Sequence, residues 1–388
     1  MMRQDYLPFG KPDFGDEEIA AVTRVLRSGW VGMGPETIAF ERELADYLGV
    51  PHVVTVNSCT SALFLSLLVS GVKAGDEVIC PSLTWCSTAN AALYLGARPV
   101  FCDIDPDTLC LTPQHVLARI TPKTRAVMAV HFGGLAVDVE ALRRALPRNV
   151  VLIEDAAHAL GARFPDGTRV GSSGNLTCFS FYANKNLSTG EGGAIALSDR
   201  AVAEQLQSLR QHALPNDAWK RYTDPRGLLL SGQLTALGYK MNYTDLQAAI
   251  GRVQLGRLPG FEAVRLELAR CYADGLKDVS PALGFQEGVT HPYHARHLFV
   301  VKLPLEKMRL SRNDALLALR AQNIGAAIHY APLHRMPLYG GGPPASLPAT
   351  EQVAPRIMTL PISAGMTVDD AQYVIVRLKA LMERERGS

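Results

Sequence analysis

The sequence has almost no excess of charge of either sign. Its 388 residues include 39 lysines and arginines against 37 aspartates and glutamates, which leaves a formal net charge of +2. Proteins that bind nucleic acids or membrane surfaces mainly by electrostatic attraction carry a strongly basic face, so this balance argues against that class of function. We therefore expect neither a nucleic acid nor a membrane among the partners of this chain.

Long apolar runs are also missing. No apolar stretch approaches the roughly 18 residues that a membrane-spanning helix needs. The first residues, Met-Met-Arg-Gln-Asp-Tyr, lack the apolar core of a secretory signal. The sequence therefore predicts a soluble, cytoplasmic protein.

The seven cysteines form no CxxC pair and no cluster with the spacing of metal ligands. Several of them, including Cys80, Cys102 and Cys178, lie within apolar runs, where a small buried thiol is the usual state. An odd number of cysteines without a disulfide framework is typical of a reducing compartment. We expect neither a metal site nor structural disulfides.

What the sequence does have is a regular alternation of strand and helix patterns. Because the strand candidates are almost continuously apolar, they are typical of strands buried on both faces. The predicted fold is an α/β fold in which a mostly parallel sheet carries helices on both faces. Strands are predicted at 52–57, 77–80, 99–104, 126–132, 150–154, 176–181 and 194–197, with helices at 17–27, 37–48, 61–69, 87–95, 112–120, 139–145 and 202–209.

In the rest of the chain the patterns predict helices at 243–255, 261–276, 313–322 and 367–385. Strand candidates lie at 297–303 and 326–330. The length suits two domains. We place the large domain, with its N-terminal segment, at 1–249 and a small α+β domain at 250–388.

Polar residues that could take part in binding or catalysis follow four of the predicted strands, at the edge where ligands bind in such sheets. Ser58, Cys59 and Thr60 begin a helix, whose free N–H groups suit a phosphate, although a plain helix cap has the same pattern. Trp85 follows the next strand, where its ring could stack on a flat cofactor or simply be buried in the core.

The other two strand ends carry charged residues. Asp155 ends a buried strand and could hold a protonated pyridine nitrogen, or it could cap a turn together with Glu154. His158 follows it and could contact the same ring or be an ordinary satisfied histidine. Lys185 lies on a glycine-rich loop after Ser180; it either projects into water or forms a Schiff base with an aldehyde. Together these residues predict a site for pyridoxal 5′-phosphate (PLP).

An ordered series of motifs across nearly the whole chain resembles the DegT/StrS-type sugar aminotransferases, which are PLP enzymes of fold type I. The motifs are Ser28-Gly-Trp30 with Gly34-Pro35, Asn57 to Ala62, Pro81 to Trp85, Val130-His131 with Gly133 and Asp138, Glu154 to His158, Ser180 with Lys185 and Thr189 to Gly193, Gly238 to Ala249, and His329 to His334.

The resemblance implies a role for each matching residue. Lys185 would carry the cofactor and move a proton, and Asp155 would pair with the pyridine nitrogen. Trp85 would stack on the ring and His158 would lie near its 3-oxygen. Ser58, Cys59, Thr60 and Ser180 would surround the phosphate, and Asn242 would reach the phosphate of a neighbouring subunit, which implies a homodimer with shared sites.

The resemblance also implies the reaction. An amino acid, by family habit glutamate or glutamine, would aminate the cofactor to pyridoxamine phosphate, which would aminate a keto group of a dTDP- or UDP-linked sugar. The segment 212–222 resembles members that aminate C4 rather than C3. Candidate substrate residues are Trp30, Trp219, Lys220, Arg221, Tyr222 and His329. Two alternatives stay open: an aminotransferase for a keto-cyclitol, and a regulatory protein that keeps the fold without the chemistry.

Overall fold

The computed structural model describes residues 3–214, 234, 236–340 and 346–387. Its large sheet has seven strands in the order β1-β7-β6-β5-β4-β2-β3. The strands are β1 (His52–Val56), β2 (Glu77–Pro81), β3 (Arg98–Cys102), β4 (Thr124–Val130), β5 (Val151–Asp155), β6 (Leu176–Ser180) and β7 (Gly193–Leu197).

Only β7 runs against its neighbours in this sheet. It pairs antiparallel with β1 and β6, whereas the β2–β3, β2–β4, β4–β5 and β5–β6 pairs are parallel. The carboxyl ends of the other six strands therefore meet at one edge, which is where the sequence predicts the site.

Helices cover both faces of the sheet, as predicted. The helices of this part of the chain are α1 (Asp16–Ser28), α2 (Pro35–Leu48), α3 (Cys59–Val69), α4 (Cys86–Leu93), α5 (Pro113–Leu117), α6 (Val139–Ala145) and α7 (Arg200–Leu209). One buried apolar cluster joins one face of the sheet to α2 and α6, and another joins the opposite face to α3, α4 and α7. The mostly parallel α/β architecture is confirmed.

A single helix, α8 (Asp245–Leu276), replaces the two helices predicted at 243–255 and 261–276. Pro259 lies inside it. A proline removes one backbone hydrogen bond, which costs roughly 3 kcal/mol in a helix interior. Buried Leu255, Leu258 and Phe261 continue the apolar face across this point, so packing keeps the helix continuous. The boundary at residue 250 falls within α8 and stays a prediction.

The C-terminal part has its own antiparallel sheet, in the order β10-β9-β8. Its elements are β8 (Gly284–Phe285), β9 (Phe299–Lys302), α9 (Arg312–Arg320), α10 (Pro348–Val353), β10 (Ile357–Leu360) and α11 (Val368–Arg384). A separate apolar cluster joins this sheet to α9, α11 and the end of α8. None of the helices in the described residues is long and apolar enough to cross a membrane.

The strand predicted at 326–330 is wrong. This stretch makes only an isolated bridge, Ala327 to Thr359, at the edge of β10. Beyond that bridge the chain leaves the small sheet, and His329 and Tyr330 line a cavity at the edge of the large sheet. The stretch 326–330 therefore lies in two environments rather than in one continuous strand.

Candidate active site

A cavity of about 490 Å³ lies at the carboxyl edge of the large sheet, which is within the size range of small-molecule sites. Nine of the predicted site residues line it: Ser58, Cys59, Thr60, Trp85, Asp155, His158, Ser180, Lys185 and His329. Trp30 and Asn242 are not among its lining residues. Trp219, Lys220, Arg221 and Tyr222 lie outside the described residues.

One end of the cavity is the N-terminus of α3. Ser58 caps this helix, because its Oγ accepts a hydrogen bond from the N–H of Ser61 at 3.1 Å. The Thr60 hydroxyl bonds Ser87 Oγ at 2.8 Å, which ties α3 to α4. The first N–H groups of a helix lack partners within the helix, and its dipole favours anions there. This end can therefore hold a phosphate.

Gly193, at the start of β7, lets this helix end approach the sheet. A Cβ at position 193 would lie 2.6 Å from the backbone nitrogen of Cys59. The register pairs Gly193 with Val56 on one side and with Ser180 on the other. The absence of a side chain thus brings the ends of β1 and β6, with Ser58 and Ser180, to the same end of the cavity.

Asp155 provides a buried carboxylate on the wall of the cavity. Its Oδ2 accepts from the Thr88 hydroxyl at 2.8 Å, and its Oδ1 accepts from the N–H of Ala157 at 3.2 Å. Burial raises the pKa of the Asp155 carboxyl above its ordinary value, although these two donors and Lys185 favour the charged form. The protein compensates the charge of the Asp155 carboxylate only in part. A cationic N–H donor in the cavity would stabilise its ionised form.

Lys185 projects from the loop after β6 into the same cavity. Burial lowers the pKa of its amine to about 8, against the weaker opposing effects of Cys59 and Asp155. A lowered pKa increases the share of neutral amine near neutral pH, and a neutral amine is the form that attacks an aldehyde. Lys185 therefore does not simply project into water, and its role as a Schiff-base lysine stays a prediction.

His158 is bonded at both ring nitrogens. Nδ1 accepts from the N–H of Gly133 at 3.3 Å, and Nε2 lies 2.9 Å from the Tyr330 hydroxyl. Burial and the nearby Lys185 hold the pKa of His158 well below its ordinary value. The neutral ring therefore carries its proton on Nε2 and donates it to Tyr330, which leaves the Tyr330 proton free to point into the cavity.

Two aromatic residues stand where a planar group would bind. The Trp85 side chain is 59% exposed, and its ring centroid lies 5.7 Å from that of Tyr330. His329 also lines the cavity and is buried; its ring centroid lies 4.9 Å from that of Tyr330, and its Nδ1 lies 2.9 Å from the Thr359 hydroxyl. Burial lowers the pKa of His329 to about 3, so this ring is neutral as well.

Several residues at the site have no role predicted from the sequence. Thr84 and Tyr330 line the cavity and lie within the motifs 81–85 and 329–334, so their position beside Trp85 and His329 is the available signal. His297 bonds Lys185 from 112 positions along the chain, and no local pattern marks it. The remaining unassigned lining residues are Phe9, Leu63, Ser87, Val130, Ala157, Tyr182, Asn184, Glu191 and Gly192.

Residues 12–379 match the family model of the DegT/DnrJ/EryC1/StrS aminotransferases. The chain belongs to this family. It is an enzyme of the transaminase class, and the resemblance read from the motifs is confirmed. The chain is 38% identical, over 98% of both chains, to the spore coat polysaccharide biosynthesis protein SpsC of Bacillus subtilis (strain 168).

Solved structures of relatives share the fold. The proposed sugar aminotransferase Spr1654 of Streptococcus pneumoniae, in its PMP form, has a TM-score of 0.89 at 29% identity, with 97% of this chain and 99% of that chain covered. Its PLP form is also known. DesI, determined in the presence of its TDP-sugar product, has a TM-score of 0.88 at 29% identity, with 99% and 94% covered. The fold type I assignment is confirmed.

Proposed function

We propose that this transaminase uses PLP to move an amino group from glutamate or glutamine to a keto group, at C4, of a dTDP- or UDP-linked keto-deoxy sugar. The product would be an amino sugar for a glycan or a glycosylated natural product. The observation that carries the proposal is the placement of Lys185 and Asp155 on one cavity that ends at the N-terminus of α3.

The residues of the cavity fit PLP. The N-terminus of α3, with Ser58 and Thr60, suits its phosphate, and Asp155 suits its pyridine nitrogen. The burial that raises the pKa of Asp155 would be offset by a cationic ring N–H at this carboxylate. Trp85 offers a face for the ring. When bound, PLP supplies an aldehyde that condenses with amines and a ring that withdraws electrons from the bonds of the attached carbon.

The chain supplies binding, orientation and proton transfer around that chemistry. Asp155, held by Thr88, keeps a negative charge fixed at the wall of the cavity. Lys185 Nζ, with its pKa lowered to about 8 by burial, would take a proton from the substrate carbon and deliver it to the former aldehyde carbon of PLP, because both protonation states are accessible near neutral pH. Phe9, Leu63 and Val130 form an apolar part of the wall.

The first test uses the absorption of bound PLP. Purified protein mixed with PLP should show a visible band from the Schiff base, and Lys185→Ala should abolish it. Lys123→Ala, a substitution at an exposed position, is the matched control and should keep the band. A wild-type protein without the band would overturn the proposal and would favour the non-catalytic alternative.

The sugar substrate rests on relatives and on the motif at 212–222. DesI is known with a TDP-sugar product, and SpsC is a polysaccharide biosynthesis protein. A panel of dTDP- and UDP-linked 4-keto and 3-keto sugars, with glutamate as donor, tests the assignment to C4. Turnover of a keto-cyclitol without turnover of any nucleotide-linked sugar would instead establish the alternative substrate. A cytoplasmic location belongs to the same proposal.

A homodimer with shared sites completes the proposal. Asn242 does not line the cavity of its own chain, and among the described residues its side chain donates to the carbonyl of the adjacent Tyr243 at 3.0 Å. A partly exposed amide of this kind can reach the site of a partner.

Mixed dimers test this contact. Lys185→Ala and Asn242→Ala chains should each be inactive alone. After random subunit exchange about half of the dimers are mixed, and one of the two sites in each mixed dimer combines both intact residues. The mixture should therefore regain up to about a quarter of the wild-type activity per site. No recovery in verified mixed dimers would argue against a shared site.

A further inference from the structure

His297 lies against Lys185, although its sequence position is far away. It precedes β9 and is 3% exposed. The N–H of the adjacent Leu298 donates to the Gly133 carbonyl at 3.1 Å, which fixes this segment beneath the cavity. His297 Nε2 lies 3.4 Å from Lys185 Nζ, and the His297 and His158 ring centroids are 4.6 Å apart.

The second ring nitrogen of His297 has no hydrogen-bond partner among the described residues, although it is fully buried. A neutral imidazole carries one proton, on either Nδ1 or Nε2. A proton on Nδ1 would leave a buried N–H group unpaired, which is rare and unfavourable. A proton on Nε2 would leave only a lone pair at Nδ1 and would place an N–H donor at Lys185.

The ring of His297 is neutral. Burial above all, then Lys185 and His158 and more weakly Arg265, hold the pKa of His297 well below its ordinary value. A neutral ring has a single proton to place, so the choice lies between the unpaired Nδ1 and the Nε2 that faces Lys185.

We propose that His297 is the hydrogen-bond donor to Lys185. Its Nε2–H donates to the lone pair of Nζ whenever the amine is neutral and not linked to a cofactor. This bond aims the amine and favours its neutral form. Protonated Lys185 has no lone pair, so Nε2 would have to accept instead, and the imidazole proton would move to the unpaired Nδ1. The hydrogen bond itself does not depend on the proposed function; the inference rests on that function only where it says what the neutral amine is used for.

Other charged or titratable groups also face Lys185, and they do not replace this partner. Asp155 and Cys59 act in the opposite sense, because their negative forms favour the ammonium. His158 and His329 are close enough for Lys185 to lower their pKa. Both ring nitrogens of His158 are bonded, to Gly133 and Tyr330, and His329 bonds Thr359 through Nδ1. Among these groups, His297 is the one that bonds Nζ.

His297→Leu separates this account from simple burial. An apolar side chain desolvates the amine at least as strongly as the imidazole does, so burial alone predicts an unchanged or lower pKa for Lys185. Loss of the Nε2–H donor predicts the opposite, a rise of about one pKa unit. His297→Met should give the same direction and serves as the second variant if His297→Leu folds poorly.

The measurement uses the full-length protein without cofactor. Trace acetylation with acetic anhydride, between about pH 6 and pH 10, gives the reactivity of Lys185 as a function of pH when its peptide is quantified by mass spectrometry. The exposed Lys123 is the internal reference in each digest. Circular dichroism confirms that each variant is folded.

An increase in the pKa of Lys185 in the folded variants supports the proposal. An unchanged or lower value in His297→Leu and His297→Met would overturn it. The outcome is independent of the absorption test, because acetylation reports on the amine even in a protein that fails to bind PLP.

Discussion

The adjacent carboxylates Glu154 and Asp155 end the same strand and have opposite surroundings. Because side chains alternate along a strand, they point to opposite faces of the sheet. Asp155 lines the cavity, with one hydroxyl and one backbone N–H as donors. Glu154 is completely buried on the other face and does not line the cavity.

Glu154 is bonded by three side chains. His131 Nδ1 accepts from the N–H of Val137 at 3.0 Å, so its Nε2 carries the proton and donates to Glu154 at 2.9 Å. Asn175 donates at 2.7 Å, and the Ser173 hydroxyl donates as well. Burial opposes ionisation, but these donors hold the pKa of Glu154 below its ordinary value.

The difference separates a structural carboxylate from one suited to a ligand. Around Glu154 the protein satisfies the charge, and the cluster links β4, β5 and the segment before β6. Around Asp155 the protein leaves the charge undercompensated and open to a cavity, and burial raises its pKa. Perturbed groups of this kind in a cleft are functional candidates. Removing only the charge should therefore mainly slow the reaction when it is done at position 155. At position 154 it should mainly lower the free energy of unfolding.

The largest expected effect is the loss of reaction rate in Asp155→Asn. A neutral amide cannot form a charge-assisted bond to a cationic ring nitrogen, so the first half-reaction should slow by about a hundredfold or more. The measurement is the rate at which glutamate converts the absorption band of the PLP-loaded protein, followed by stopped flow.

Glu154→Gln is the matched control for this measurement, because it makes the same chemical change one residue away. Per folded molecule it should keep the wild-type rate within about threefold. A near-normal rate in Asp155→Asn, or equal losses in the two variants, would contradict the roles assigned to the two faces.

A smaller effect, on stability, is expected for Glu154→Gln. The new amide group would face His131, Ser173 or Asn175, all of which donate to this position. A donor against a donor leaves a buried group unpaired and should lower the free energy of unfolding by about 1–3 kcal/mol. Urea denaturation of the cofactor-free protein provides the measurement. A variant as stable as the wild type would show that the Glu154 cluster is not structural.

The sequence predicts the site residues that follow the strands of the large sheet better than those that come from the C-terminal part. Parallel strands buried on both faces appear as apolar runs, so the residues after them, such as Ser58, Asp155 and Lys185, could be assigned to one edge without a structure. The alternation rule also separates Glu154 from Asp155 in principle, but it does not say which face holds the cavity.

The parts that could not be predicted depend on long-range packing. Helix α8 continues through Pro259 because buried side chains on both sides outweigh the lost hydrogen bond. His297 and Tyr330 reach the site from the C-terminal part. His297 stands at the start of a predicted strand rather than at its end, and the strand predicted to end at Tyr330 does not form. The bond between His297 and Lys185 spans 112 positions, and no local pattern encodes such a contact.

The two carboxylates should also give opposite dependence of stability on pH in the cofactor-free protein. Asp155 has its pKa raised above 3.8 by burial, so its contribution to stability is present below that value and is lost as pH rises through the folded-state pKa. Glu154 has its pKa lowered from 4.5 because hydrogen bonds overcome burial. Its contribution is present above 4.5 and is lost as pH falls through the folded-state pKa.

Urea midpoints of the wild type and both variants, at about pH 7 and about pH 4, measure this difference. Relative to the wild type, Asp155→Asn should become more stable as pH rises, because it no longer has to bury an ionised carboxylate. Glu154→Gln should become less stable over the same range, because the wild type gains a well-bonded charge that the variant lacks. Parallel changes in the two variants would mean that both carboxylates are equally well compensated. The cavity face of β5 would then not be electrostatically distinct from the opposite face.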